Sequence, residues 1–177
     1  MSAGASKTRE ARPDLRESVT HAVALAIACL ISYTTITQLL VRIHSVSPSD
    51  DALGALWSVV ATIFVYRATL TQSFAAALSR IAATLVSFVL CLGYLLLFPF
   101  HPWGMALLVG VGAILAVLLH RPDDAVTTGI TTAVVMIVAS LAPAHPWEQP
   151  ILRLGDTIVG VGVGTAAVSL VLAATHR

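Results

Sequence analysis

Charge is what this sequence has least of. Only 19 of its 177 residues are Asp, Glu, Lys or Arg, 11% of the chain, against about 25% in a typical soluble domain. The few charges are also segregated. Six windows, 19–41, 52–66, 81–100, 102–119, 125–143 and 157–175, contain none of them and together hold 114 residues. A soluble helix needs a polar face along its length, and these windows supply none, which excludes a soluble globular domain. The strict polar–apolar alternation of membrane β-barrel strands is missing as well. Cysteine is almost absent: Cys29 and Cys91 both fall inside apolar windows, where they read as small packing residues and not as a disulfide. No Walker loop, HExxH helix or serine nucleophile elbow occurs, so neither ATP hydrolysis nor common hydrolase chemistry has residues to carry it. No enzyme activity, cofactor or resident metal is expected, and a net charge of +1 leaves no electrostatic footprint for nucleic acid.

What is present is apolar length. Hydrophobic residues make up 57% of the chain, and its mean hydropathy is +0.89. A bilayer core of about 30 Å takes roughly 20 apolar residues as helix, close to the length of most of these windows. The expected fold is an all-α integral membrane protein with six transmembrane helices in a domain over residues 18–177. Residues 1–17 form a short solvated tail that mixes Lys7, Arg9, Arg12 and Arg16 with Glu10, Asp14 and Glu17. The first window is too long for the apolar core of a cleaved signal peptide, and no small-x-small site follows it. With the N-terminus inside and six crossings, Lys7, Arg9, Arg12, Arg16, Arg67, Arg80, Arg121 and Arg177 are cytoplasmic and only Arg42 and Arg153 lie outside. That is a positive-inside bias with both termini cytoplasmic. The second window, 15 residues long, is the short one. Its helix either continues past Arg67, burying a guanidinium, or stops there, with a short interfacial helix over 68–79 leading to Arg80. The second choice is cheaper, because a charge at the centre of the bilayer costs about 2.5–3.5 kcal/mol on insertion scales.

Sliding the chain against itself by 73 positions aligns Asp50-Asp51-Ala52 with Asp123-Asp124-Ala125, Arg80 with Arg153, and Thr84 with Thr157. A repeat of three helices must reverse direction across the membrane. The expected arrangement is therefore two inverted three-helix repeats, about 18–99 and 102–175, a layout that in transporters places the substrate path near the interface of the halves. A bland duplication kept for packing is the alternative.

The repeated arginines are the sharpest candidates. Placed at the start of the third and sixth helices, they would sit where the helix dipole is already positive, so each calls for a compensating anion. Asp156, three residues after Arg153, supplies an internal partner; Arg80 has none nearby in sequence. Arg80, Arg153 and Arg67 are candidates for an anion pathway, with snorkelling to headgroups as the ordinary alternative. Thr84 and Thr157 either extend that polar strip or bond the preceding turn. The aspartate pairs read as caps of the second and fifth helices. Six histidines show no zinc spacing, and the repeated His101-Pro102-Trp103 and His145-Pro146-Trp147 are explained by a helix-starting proline and an interfacial tryptophan. Gly160 and Gly164 form a small-xxx-small face for close helix packing.

These residues carry a resemblance. Trp57, the polar break near Arg67, and Arg80-Ile81-Ala82-Ala83-Thr84 resemble the membrane domain of the fusaric acid resistance (aromatic acid exporter-like) family. The later Arg153-Leu154-Gly155-Asp156-Thr157-Ile158-Val159-Gly160 is the better match, to an Arg-x-x-Asp-Thr-x-x-Gly pattern. The third helix departs from the usual glycines, with Ala83 and Ser87 in their places. Plant aluminium-activated malate transporters are distant relatives of that group. The resemblance implies movement of organic anions, often aromatic carboxylates, across a bacterial inner membrane, by a homo-oligomer in which a dimer is favoured. Trp57 and Asp156 then belong, with the glycines, to its packing. The competing expectation is a non-transporting membrane assembly or accessory protein.

Overall fold

The structure is a computed structural model and describes residues 15–43, 48–141 and 145–175. The first 14 residues of the expected tail, with Lys7, Arg9 and Arg12, lie outside them, as do His44 and Arg177. Six helices follow in order: α1 (Leu15–Ile43), α2 (Pro48–Val65), α3 (Leu70–Leu97), α4 (Pro102–Leu118), α5 (Asp124–Leu141) and α6 (Glu148–Thr175). Four contain segments long and apolar enough to cross a membrane: Ser18–Gln38, Leu70–Leu97, Asp124–Leu141 and Glu148–Ala174. α2, α4 and α5, at 18, 17 and 18 residues, are the short helices; at 1.5 Å per residue they span roughly 26 Å, just under a bilayer core.

Polar and apolar residues are distributed inside out. Leu97, Trp103, Leu141 and Leu170 are each more than 70% exposed, while Ser32, Ser58, Thr62, Ser87 and Thr131 are fully buried. In water such an apolar exterior would drive aggregation; in lipid it is the solvated surface. The chain is a multi-pass membrane protein.

Buried hydroxyls and glycines set the helix spacing. α2 and α6 pack with backbones almost touching. A Cβ added to Gly160 would lie 2.2 Å from the Ser58 carbonyl oxygen and 2.7 Å from the Ala61 Cβ, and one added to Gly164 would lie 3.0 Å from the Thr62 carbonyl oxygen. Thr62 Oγ1 lies 3.0 Å from both the Gly160 carbonyl oxygen and Ser32 Oγ, donating to one of them at a time, and Ser32 meets Ser58 at 2.6 Å, which ties α1, α2 and α6 together. On the other side, Ser87 takes the place that Gly160 holds. Its hydroxyl donates to the Thr128 carbonyl and accepts from Thr132 Oγ1, both at 3.0 Å, so hydroxyls rather than bare backbone join α3 to α5.

Two expectations need correction. Residues 68–79 do not form a separate interfacial helix. Thr69 caps α3 by accepting from the Gln72 amide, and α3 then runs unbroken to Leu97. Ser73 Oγ bonds back to the Val65 carbonyl at 2.8 Å, so the α2–α3 connection is tight and the helix continues through Arg80. The aspartates also sit differently. Asp50 and Asp51 lie inside the first turn of α2, which begins at Pro48, while α5 begins at Asp124. α4 ends on His120, whose φ of 58° is left-handed. The Arg121 amide donates to the Ala116 carbonyl and the His120 amide to the Val117 carbonyl, a Schellman close in a position that glycine usually takes.

The α2–α6 contact yields a direct test. Gly160→Ala should lower stability in detergent by about 2–3 kcal/mol, because the opposing atom is backbone and cannot move aside. Gly162→Ala, where a Cβ meets nothing within 4 Å, should be neutral or stabilising by up to ~1 kcal/mol. Thermal unfolding of the purified protein checks both.

Candidate anion site

Arg80 does not stand at a helix start. It is ten residues into α3, roughly 15 Å along the axis, and only 3% of it is exposed. Arg153 is five residues into α6 and 1% exposed. The dipole effect fades within the first turn, so burial, and not a helix end, is what demands a counter-charge at each.

The two sites answer that demand differently. Arg153 Nη1 lies 3.0 Å from Asp156 Oδ2 in an ion pair with both side chains buried. Gly54 on α2 leaves room for that carboxylate, since a Cβ there would stand 3.1 Å from Asp156 Oδ1. Thr157 turns its hydroxyl to the Arg153 carbonyl and accepts from Trp57 Nε1 at 3.2 Å. Arg80 is held by rings. Its guanidinium carbon is 5.0 Å from the ring centroids of both Trp57 and Phe64, two residues seven apart on one face of α2. Such desolvated cation–π contacts are worth about 2 kcal/mol each. They satisfy the faces of the guanidinium but not its edge: Nε and Nη2 have no hydrogen-bond partner among the described residues. Thr84, one turn on, donates to the Arg80 carbonyl at 2.8 Å.

Arg80 borders a cavity of about 180 Å³ lined by Phe64, Arg67, Ala76, Ser79, Arg80 and Thr127. Arg67 is exposed and Arg80 buried, so the lining runs from the surface into the bundle between α2, α3 and α5. The carboxylate closest in sequence pattern is already engaged: Asp124 accepts a short hydrogen bond from Ser79 Oγ and pairs with Arg121 at 3.3 Å. A larger cavity of about 280 Å³, between α1 and α6, is lined by Ala, Ile, Val and Leu alone and offers no polar group. Arg80 is thus a buried cation packed against two aromatic rings and lining this cavity, with Nε and Nη2 sealed from solvent and without a hydrogen-bond partner among the described residues.

Of the residues singled out in the sequence, the structure brings Arg80 and Arg67 to one cavity and ties Arg153, Asp156, Thr157 and Trp57 into a neighbouring cluster. Gly160 and Gly164 lie on the α2–α6 contact. Sequence reasoning missed Phe64, Ser79 and Thr127. The seven-residue spacing from Trp57 could have pointed to Phe64; nothing local marks the other two.

The Arg153–Asp156 pair should behave as a buried ion pair. Asp156→Ala removes the buried counter-charge of Arg153 and should cost about 3–5 kcal/mol, whereas Arg153→Met with Asp156→Ala together should recover most of that loss. Denaturation of the single and double variants in the same micelle measures the difference.

The chain matches the fusaric acid resistance protein-like family over residues 36–167, three-quarters of its length. No curated protein and no solved structure matches it. The matched segment takes in α2 to α5 complete, the paired arginines and the cavity beside Arg80. The chain belongs to the fusaric acid resistance protein-like family, a group of membrane proteins related to transport.

Proposed function

We infer that the chain moves organic carboxylate anions, aromatic ones included, across the bacterial inner membrane, and that Arg80 is the point at which the anion is held. The observation that carries this reading is the buried Arg80 guanidinium, whose Nε and Nη2 stand unpartnered beside a cavity. A permanent charge in that position is costly, and a bound carboxylate offsets the cost. Phe64 lines the same cavity, which suits a ligand with an aromatic ring. Arg67 at the cavity's exposed side would attract the anion from solution. This reading is one of binding and passage.

In this reading the chain is two inverted three-helix repeats. The reading is supported by helix adjacency, which maps onto itself when α1, α2 and α3 are exchanged for α4, α5 and α6. α1–α2 corresponds to α4–α5, α2–α6 to α5–α3, and α1–α6 to α4–α3. Both termini are cytoplasmic by the distribution of basic residues, and the working form is a homodimer, because six helices of this length enclose little free volume.

Purified protein in proteoliposomes tests the role of Arg80. Arg80→Gln should reduce efflux of labelled benzoate by about tenfold or more, the scale of one charge-assisted hydrogen bond, without loss of thermal stability. Undiminished efflux from the variant would remove Arg80 from the pathway. Absence of efflux from the unaltered protein would favour the accessory role instead.

A further inference from the structure

The two arginines related by the 73-residue offset are in opposite electrostatic states, and one position accounts for the difference. At Arg153 the counter-carboxylate is built into the same helix: Asp156, three residues on, is 3.0 Å away and buried with it. The same offset puts Ala83 three residues after Arg80. Ala83 is 2% exposed and brings only a methyl group. The one carboxylate that α5 offers nearby, Asp124, is held by Ser79 and Arg121, and Arg80 forms no ion pair among the described residues. Nε and Nη2 are sealed and unpartnered, and Arg80 lines the cavity between α2, α3 and α5, where a carboxylate can meet the guanidinium with a charge-assisted hydrogen bond.

We propose that each chain binds one carboxylate and not two: the ligand's carboxylate occupies at Arg80 the role that Asp156 fills permanently at Arg153, and Ala83 keeps the Arg80 site open by withholding an internal competitor. The inference rests on the carboxylate reading above and sharpens it. The ligand's remaining atoms extend into the cavity between Phe64, Ser79 and Thr127. Arg153 then serves α6 packing and takes no part in binding.

Equilibrium dialysis of labelled benzoate against the detergent-purified full chain gives the count. The unaltered protein should bind one benzoate per chain. Ala83→Asp should weaken binding by about tenfold or more, because an aspartate three residues from Arg80 copies the Arg153–Asp156 pair, while Ala83→Asn, of the same size without the charge, should stay within ~3-fold. Two benzoates per chain, or Ala83→Asp binding as well as Ala83→Asn, would overturn the inference and leave the role of Arg80 intact. Should Ala83→Asp not fold, the count on the unaltered protein decides alone. A count of zero would overturn the carboxylate reading, and this inference with it.

Discussion

A guanidinium without a hydrogen-bonded partner, buried inside an apolar bundle, is the constraint from which the rest of this structure can be argued. Arg80 is 3% exposed on a helix of 28 residues. If that helix is centred on a bilayer core of about 30 Å, the charge lies roughly 9 Å inside the hydrocarbon boundary. Guanidinium is the most basic of the side-chain groups, so the fold must stabilise the charge and cannot simply remove it. It does so with the π-faces of Trp57 and Phe64 and leaves one edge unsatisfied. Arg153, by contrast, has a carboxylate three residues on in the same helix.

The rest of the bundle keeps that geometry rigid. Trp57 is fixed at both ends: its ring faces Arg80 and its Nε1 donates to Thr157 on α6. The α2–α6 contact that positions it is close because Gly160 and Gly164 carry no side chain. Hydroxyl bridges from Thr62, Ser32 and Ser87 hold the remaining helices at a spacing where every buried hydroxyl involved has a partner. In lipid, such packing and hydrogen bonding replace the hydrophobic effect as the force between helices. Ser79 does a further service on the α3 side by engaging Asp124, which keeps a carboxylate from reaching Arg80.

Much of this was legible in the sequence, and the limits have physical causes. Segregated charge gave the membrane class and the helix count, because hydropathy over a window averages many residues. The importance of Arg80 was visible from its repetition at Arg153, and the Arg153–Asp156 pair from its spacing of three. What failed was the placement of Arg80 at a helix start. The charge-free window beginning at residue 81 suggested that start, but the charge is accommodated inside α3 by two aromatic side chains on another helix, and that compensation has no local signature. The cavity was hidden for the same reason: Phe64, Ser79 and Thr127 come from three helices, and only tertiary packing brings them together. The family match over residues 36–167 agrees with the resemblance read from the motifs and is silent on which arginine binds.

The asymmetry between the halves gives the account its most direct physical test. A crystal of the protein grown with 4-bromobenzoate would locate the ligand by the anomalous scattering of bromine. The account predicts a single bromine peak per chain in the cavity lined by Phe64, Ser79 and Thr127, with the carboxylate against the Arg80 guanidinium. Bromine only in the apolar groove between α1 and α6, or beside Arg153, would contradict it.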